Sequence, residues 1–318
     1  MQKVNYILLM LSIVSIMSVH AQTTYYLRAD GNDTCTGLRL SCAIQTFSQA
    51  SDLMSAGDYL FCDGNGGVYD TDTTDAIFTA SGTSGSHIYI TGFNDFKIVN
   101  SDEDTTAYLS LVSSDYIELN RILFNDKDDY DSLVVYLGYG KNYWIKNCDF
   151  YENAFLMDSL GTSQNWPNTY ITHTMFCQSD STYRSIVINN DLTDGGALNI
   201  NYCSFYLTTP VYILNTDNGA DGLYFNNSIV ESAKYLWEVG SGTISTIQHR
   251  NYVYYNAGTS NSSPVVSVDS TAYNTDPMFN NTIYWNFYLK YDSPCIQYST
   301  NGGTIGAKGA ISIKAGGE

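Results

Sequence analysis

Six similar segments follow one another between residues 116 and 254, and we call the shared motif the repeated phrase. Each phrase ends on a residue that we call the anchor of its repeat, and successive anchors are 26, 26, 29, 25 and 24 residues apart. Within each phrase apolar residues alternate with polar ones, which is typical of strands and not of helices. This period and this alternation predict a solenoid in which each repeat forms one coil of strand. The anchors are Phe124, Phe150, Phe176, Phe205, Val230 and Tyr254.

The columns of the repeat predict which side chains face inward. Alternate residues of a strand point to the same side, so positions 5 and 7 residues before the anchor should stack in the core. Position minus 3 holds Asn147, Asn227 and Asn251, and Asn tolerates the left-handed backbone of a sharp bend, so we expect a turn with an Asn ladder there. Inward positions resume at minus 2 and at the anchor. Position minus 5 holds Leu119, Ile145, Ile171, Ile200, Phe225 and His249.

A third apolar run follows each anchor and completes the coil. Three strands per coil at this spacing resemble the right-handed parallel β-helix of the pectate-lyase-like superfamily. The resemblance implies an all-β fold, namely a right-handed parallel β-helix with three strands per coil and a short N-terminal capping helix. The third runs are Leu133 to Leu137, Ala154 to Met157, Ser185 to Ile188, Pro210 to Leu214 and Pro264 to Val268.

The two ends of the chain fit the same architecture. Ile44, Phe47, Ser51 and Met54 fall on one helical face, so we expect a helix that covers the open end of the apolar core. We assign residues 22–58 to an N-terminal strand with this helix and residues 59–318 to the β-helix, whose last segments resemble the closing segment of the family. A solenoid can grow as one elongated domain at this length.

Features of the N-terminus and the cysteines predict export. Residues 1–21 contain an early Lys, an apolar run from Tyr6 to Val19 and a Val-His-Ala end, as a signal peptide does, and the run is short for a membrane span. We therefore expect a secreted, extracellular protein. Cys35 and Cys42 flank a short polar loop and should form a disulfide in an oxidising compartment. The other five cysteines have no pairing that the sequence assigns, and no zinc-type spacing occurs.

The charge argues against two classes of partner. The net charge is −18 with only 14 Lys and Arg residues, whereas nucleic acids and anionic membrane surfaces require clustered cations. A polyanionic substrate would be repelled unless a cation bridged it. The resemblance implies an extracellular polysaccharide as the partner, because β-helical proteins of this superfamily commonly act on such polymers. Oligomeric state cannot be read from the sequence.

One acidic segment is a candidate cation site. Asp126, Asp128 and Asp131 follow the first anchor, and Asp158 closes the third strand of the next coil. Calcium prefers six to eight oxygen ligands, which such a loop could supply. The spacing lacks the glycine and distal glutamate of an EF-hand loop, so a solvated acidic turn is the alternative interpretation.

Arg184 is the candidate catalytic residue. It lies at the start of a third strand, two coils beyond the acidic loop. If calcium held a uronate carboxylate, the α-proton would become more acidic, and Arg184 could act as the base of a β-elimination. This predicts a calcium-dependent polysaccharide lyase, and the alternative is that Arg184 forms a surface ion pair. A glycoside hydrolase is less favoured, because the paired-Asp and His-Gly motifs of β-helical polygalacturonases are absent.

Outward aromatic residues support a different hypothesis, binding without turnover. Trp144 and Tyr170 share position minus 6 in adjacent repeats, so they should lie side by side on one outer face. Aromatic rings stack on the apolar faces of sugars and could hold a glycan. On this hypothesis the protein is a non-catalytic glycan-binding adhesin or a structural exoprotein. The alternative interpretation of the aromatic residues is that they only reflect strand propensity.

Overall fold

A computed structural model gives the fold of most of the chain. The residues it describes are 21–71, 76–100, 107–111, 114–126, 133–137, 142–152, 154–158, 168–180, 183–189, 197–214, 216–220, 222–236, 238–239, 242–244, 247–257, 272–281, 286–296 and 304–307. Except for Ala21, the predicted signal peptide lies outside these residues. So does the predicted third strand at Pro264 to Val268.

Three parallel sheets run along the molecule, and we number them in the order in which each coil passes through them. Sheet 1 contains Thr24–Leu27, Tyr59–Asp63, Ile88–Phe93, Ile117–Asn120, Tyr143–Lys146, Thr169–Thr172, Ala197–Asn201, Gly222–Asn226 and Ile247–Arg250. Sheet 2 contains Tyr69–Asp70, Lys97–Asn100, Leu123–Asp126, Asp149–Tyr151, Met175–Cys177, Ser204–Tyr206, Ile229–Glu231, Tyr252–Tyr255 and Ala272–Asn274. Sheet 3 contains Ala76–Ile77, Ala107–Ser110, Leu133–Leu137, Phe155–Asp158, Arg184–Asn189, Thr209–Leu214 and Glu238–Val239.

The prediction of a right-handed parallel β-helix with three strands per coil is confirmed. Each of the first five repeats contributes one strand to every sheet, and neighbouring coils pair in the predicted register, for example Ile145 with Ile171 and Phe150 with Phe176. Two smaller pairs of strands lie beside the solenoid. Thr216–Ala220 pairs with Gly242–Ile244 in parallel, and Phe279–Asn281 pairs with Asn286–Leu289 in antiparallel fashion.

The core is built from the predicted columns. The first four anchor rings are fully buried and stack on one another, with centroids 4.7, 4.8 and 5.0 Å apart from Phe124 to Phe205. Leu119, Ile145, Ile171 and Ile200 form a parallel column that is also fully buried. Equivalent side chains of successive coils lie next to one another. Each ring therefore fills the space between the rings of the two neighbouring coils.

A left-handed bend joins sheet 1 to sheet 2 in the six repeats. The residue at minus 3 has φ between 48° and 56° whether it is Asn or not, as Arg121 and His173 show. Two hydrogen bonds between side-chain amides link neighbouring coils there. Asn147 Nδ2 donates to Asn120 Oδ1 at 2.9 Å, and Asn227 Nδ2 donates to Asn201 Oδ1 at 2.8 Å. The bend is therefore as predicted. The ladder hydrogen bonds do not join the bend residues to each other; each joins a bend residue to the residue that precedes the bend in the coil before it.

The small residues at minus 2 have a role that the sequence did not indicate. Each side chain donates to the carbonyl two residues earlier, across the bend, as Ser228 Oγ does to Asn226 O at 2.7 Å and Thr174 Oγ1 does to Thr172 O at 3.1 Å. Cys203 and Cys148 take the same place with longer sulfur contacts. These two buried cysteines are weak donors that cap the bend.

The N-terminal helix is present where it was predicted. It spans Phe47–Leu53, and Thr46 caps it by accepting from the Gln49 amide at 3.1 Å. Its inward face, with Ile44 and Met54 on either side, is buried against the first coils. The predicted disulfide between Cys35 and Cys42 is formed. The other five cysteines are free and buried.

The C-terminal segment lies along the outside of the solenoid, against the outer face of sheet 2. Phe287 is buried there and its ring centroid lies 5.0 Å from that of Tyr206. Farther along, the amides of Gly306 and Ala307 donate to Asn227 O and Ser204 Oγ, each at 2.9 Å. This cover explains why a sheet 2 strand such as Met175–Cys177 is buried on both faces. Among the described residues, no helix is long and apolar enough to cross a membrane.

The anchor stack predicts a large and position-specific effect on stability. Replacing Phe150 with Ala should lower the free energy of unfolding by about 3–5 kcal/mol, because it opens a cavity between two rings that cannot close over it. Phe61→Ala is the matched control, since Phe61 lies half-buried on the outer face of sheet 1. Urea denaturation of both variants measures the difference. Equal losses would contradict the stacked core.

Candidate functional site

The outer face of sheet 1 carries a row of aromatic residues. They lie in the column of position minus 6, which Glu118 and Asn199 interrupt, and their side chains point away from the core and are half-buried. We call this row, together with the neighbouring imidazole of His87, the aromatic face. Its residues are Tyr59, Tyr89, Trp144, Tyr170, Tyr224 and His87.

The predicted pair of Trp144 and Tyr170 forms the centre of this face. The two residues are paired in register, their ring centroids are 5.4 Å apart, and their planes differ by 10°. Tyr59 and Tyr89 form a second stacked pair at 4.5 Å. The predicted side-by-side placement is thus confirmed, whereas the predicted role in substrate binding is not tested by this geometry.

His87 is a member of the aromatic face that the sequence did not reveal. Its imidazole stacks on Trp144 with centroids 4.1 Å apart and lies 6.0 Å from the ring of Tyr89. Burial lowers the pKa of His87, while the charge of Glu118 opposes that shift and the charge of Lys146 adds to it. His87 precedes its strand and lies outside the repeated phrase, so no column of the repeat contains it.

An ion pair lies beneath this imidazole. Lys146 Nζ lies 2.6 Å from Glu118 Oε2, and the Glu118 side chain is only 13% exposed. Glu118 occupies the aromatic column between Tyr89 and Trp144, one coil from each. The pair compensates both charges locally, so this part of the surface is close to neutral although the whole chain carries a net charge of −18.

The structure does not bring the predicted cation and base residues into one described cluster. Asp128 and Asp131 lie outside the described residues, and for Asp126 and Asp158 only the backbone is described. Arg184 is exposed at the start of its sheet 3 strand. Asp158 pairs with Ile188, four residues farther along that strand, which separates the two backbones by about 13 Å along the sheet. The calcium site and the catalytic role of Arg184 stay predictions.

Within the described part of the chain, no group of three or more His, Cys, Asp and Glu side chains could hold a metal ion. Most of the predicted acidic loop lies outside the described part. Its oxygen-rich composition suits calcium.

A second place with unusual chemistry lies under the C-terminal segment. Burial, and then repulsion from Asp276, raise the pKa of Glu231 to about 7. Glu231 Oε2 is buried and has no hydrogen-bond partner among the described residues. Nearby, burial raises the pKa of the Cys295 thiol to about 12, so it is not a reactive thiolate. These groups lie where the C-terminal segment packs on sheet 2 and form no open site.

Glu231 predicts a pH dependence of stability. Its pKa is raised on folding, so the folded state keeps a proton that the unfolded chain releases, and the free energy of unfolding should fall as the pH rises from about 4.5 to about 7. Glu231→Gln should flatten this part of the curve, whereas Asp292→Asn, an exposed change in the same segment, should not. Thermal unfolding at a series of pH values tests this, and a Gln variant with an unchanged slope would contradict it.

Comparison with known proteins gives no family for this chain. No protein-family model matches it, and no curated protein matches it. Among solved structures, pectate lyase Pel9A aligns with a TM-score of 0.49 and 13% identity over 92% of this chain and 98% of its own. A rhamnogalacturonan lyase gives 0.43 and 12% over 81% and 91%, and a GH136 lacto-N-biosidase from Eubacterium ramulus gives 0.40 and 8% over 83% and 70%. Identities of 8–13% at TM-scores of 0.40–0.49 assign neither a family nor an activity to this chain.

Proposed function

We propose that this protein binds extracellular polysaccharide through the aromatic face of sheet 1. The observation that carries the proposal is the continuous stack on an outer surface of the solenoid, in which His87 lies on Trp144 and Trp144 lies in register beside Tyr170. Aromatic side chains held rigidly on a sheet offer apolar area to the C–H groups of sugars at little cost in conformational entropy.

The dimensions of the face suit a polymer. From Tyr59 to Tyr224 the column crosses six steps between paired strands, or about 29 Å. Polar side chains border it at position minus 4, among them Thr172 and Asn201, which can exchange hydrogen bonds with sugar hydroxyls. A row of rings beside a row of amides and hydroxyls is the combination that a glycan chain requires.

Charge favours a neutral glycan on this face. The net charge of −18 repels a polyanion, and the described cation nearest to the stacked rings, Lys146, is already paired with Glu118. An acidic polysaccharide would need a bridging cation, which belongs to the separate hypothesis of the acidic loop. Secretion and catalysis remain predictions that accompany this proposal.

Binding should depend on Trp144. Trp144→Ala removes the central ring of the stack and should weaken retention on an affinity gel of soluble neutral glycan by about tenfold, in line with one lost aromatic stacking contact. Tyr291→Ala is the matched control, because Tyr291 is 76% exposed and lies in the C-terminal segment. If the two variants bind alike, or if gels made with a panel of different neutral glycans all fail to retard the wild-type protein, the proposal fails.

The lyase hypothesis makes a different prediction. Uronate polymers incubated with the protein and calcium should yield the absorbance of an unsaturated product, and both Arg184→Ala and removal of calcium should abolish it. Arg250→Ala provides a control, since Arg250 is an exposed arginine at the end of a sheet 1 strand. Absence of product from the wild-type protein across the panel would exclude this activity and leave binding as the function.

A further inference from the structure

The aromatic column has a gap in the coil after Tyr170. Asn199 pairs in register with Tyr170 on one side and with Tyr224 on the other, so one short side chain separates the two tyrosines in the column. Two steps between strands separate them, or roughly 10 Å. Trp144 covers one face of Tyr170 at 5.4 Å, which leaves the face toward Asn199 uncovered by any other ring of the described chain.

The chain contains a filled counterpart of this gap. Tyr89 and Trp144 also lie two coils apart, with Glu118 between them in the column. There the imidazole of His87 occupies the gap, 4.1 Å from the ring of Trp144 and 6.0 Å from that of Tyr89. The protein itself thus shows that a gap of this geometry accepts a five-membered ring stacked on one of its walls.

In the second gap, no described side chain occupies the position that His87 occupies in the first. The equivalent residue, two positions before Tyr170, is Asn168, and its amide donates toward the preceding coil, to Asn142 Oδ1 at 3.4 Å. The Asn199 side chain, half-buried at the floor of the gap, makes no hydrogen bond to other described residues. The gap therefore lies between two aromatic residues, and its floor carries the Asn199 amide, whose hydrogen-bonding groups are unused by the described residues.

We infer that this gap, bounded by Tyr170, Asn199 and Tyr224, is a subsite that holds one sugar ring of a neutral β-linked glycan between two tyrosines. The inference rests on the proposed function and specifies its substrate class. A ring in contact with both walls needs roughly 8 Å at ordinary carbon–carbon contact distances, and the thickness of a pyranose chair accounts for the remainder. The Asn199 amide can then donate to and accept from the ring hydroxyls.

The walls also select the configuration of the sugar. Contact with aromatic rings on both sides requires two apolar ring faces, which β-linked glucose and xylose provide because their substituents are equatorial. Galactose carries one axial hydroxyl, which would leave that polar group against a tyrosine ring without a partner. The side chains around the floor, Thr172 and Asn201, are uncharged, so no described side chain there compensates a carboxylate.

Filling the gap with a ring of the protein itself is the sharpest test. Asn199→Phe should complete the aromatic column, keep or raise the thermal unfolding midpoint, and weaken the binding of cellohexaose and xylohexaose at least tenfold in titration calorimetry. Gln248→Phe is the matched control, because Gln248 occupies the same column one coil beyond Tyr224 and should leave affinity unchanged. Tyr224→Ala should reproduce the loss by removing one wall.

The outcomes separate the subsite from the proposed function. If cellohexaose binds and Trp144→Ala weakens it, but Asn199→Phe binds as the wild type does, the glycan-binding face stands and the subsite is wrong. If galactan oligosaccharides or polygalacturonate bind as tightly as cellohexaose with the same sensitivity to Asn199→Phe, the assigned sugar class is wrong. If no glycan binds, both inferences fall.

Discussion

In-register stacking of identical positions in successive coils is the interaction on which the rest of the structure depends. Phe124, Phe150, Phe176 and Phe205 contact one another in a single buried file, and the aliphatic column beside them repeats the arrangement. A shift of one residue in any coil would turn its inward side chains outward, so the core fixes the register strongly. Each coil is stabilised mainly by its two neighbours, as in other solenoids.

The same register organises the outer surface. Because position minus 6 of each coil lies beside position minus 6 of the next, a row of rings arises wherever successive repeats carry aromatic residues, and a gap arises wherever one does not. Glu118 and Asn199 make two such gaps, and the chain fills only the first with one of its described rings. The residues at position minus 6 therefore determine where the outer face of sheet 1 carries a ring and where it leaves a stacking position open.

The repeat itself let the sequence predict much of the fold, and features outside the repeat could not be predicted. The stacked columns, the bend at Asn147, the capping helix and the Cys35–Cys42 bond follow from spacing and local propensity. His87 lies outside the phrase and reaches across two coils, so only the folded chain brings it to Trp144. The cover of sheet 2 by the C-terminal segment, with Phe287 on Tyr206, is a contact between distant parts of the sequence that no periodicity encodes.

Distances between spin labels along one column would test the stacking register most directly. Cysteines introduced at Thr24, Asn199 and Gln248 can be labelled selectively, because the five native free thiols are buried. With six strand steps from Thr24 to Asn199 and eight to Gln248, the account predicts mean backbone separations of roughly 29 and 38 Å, with one constant increment per coil. Separations that do not grow by that increment would contradict it.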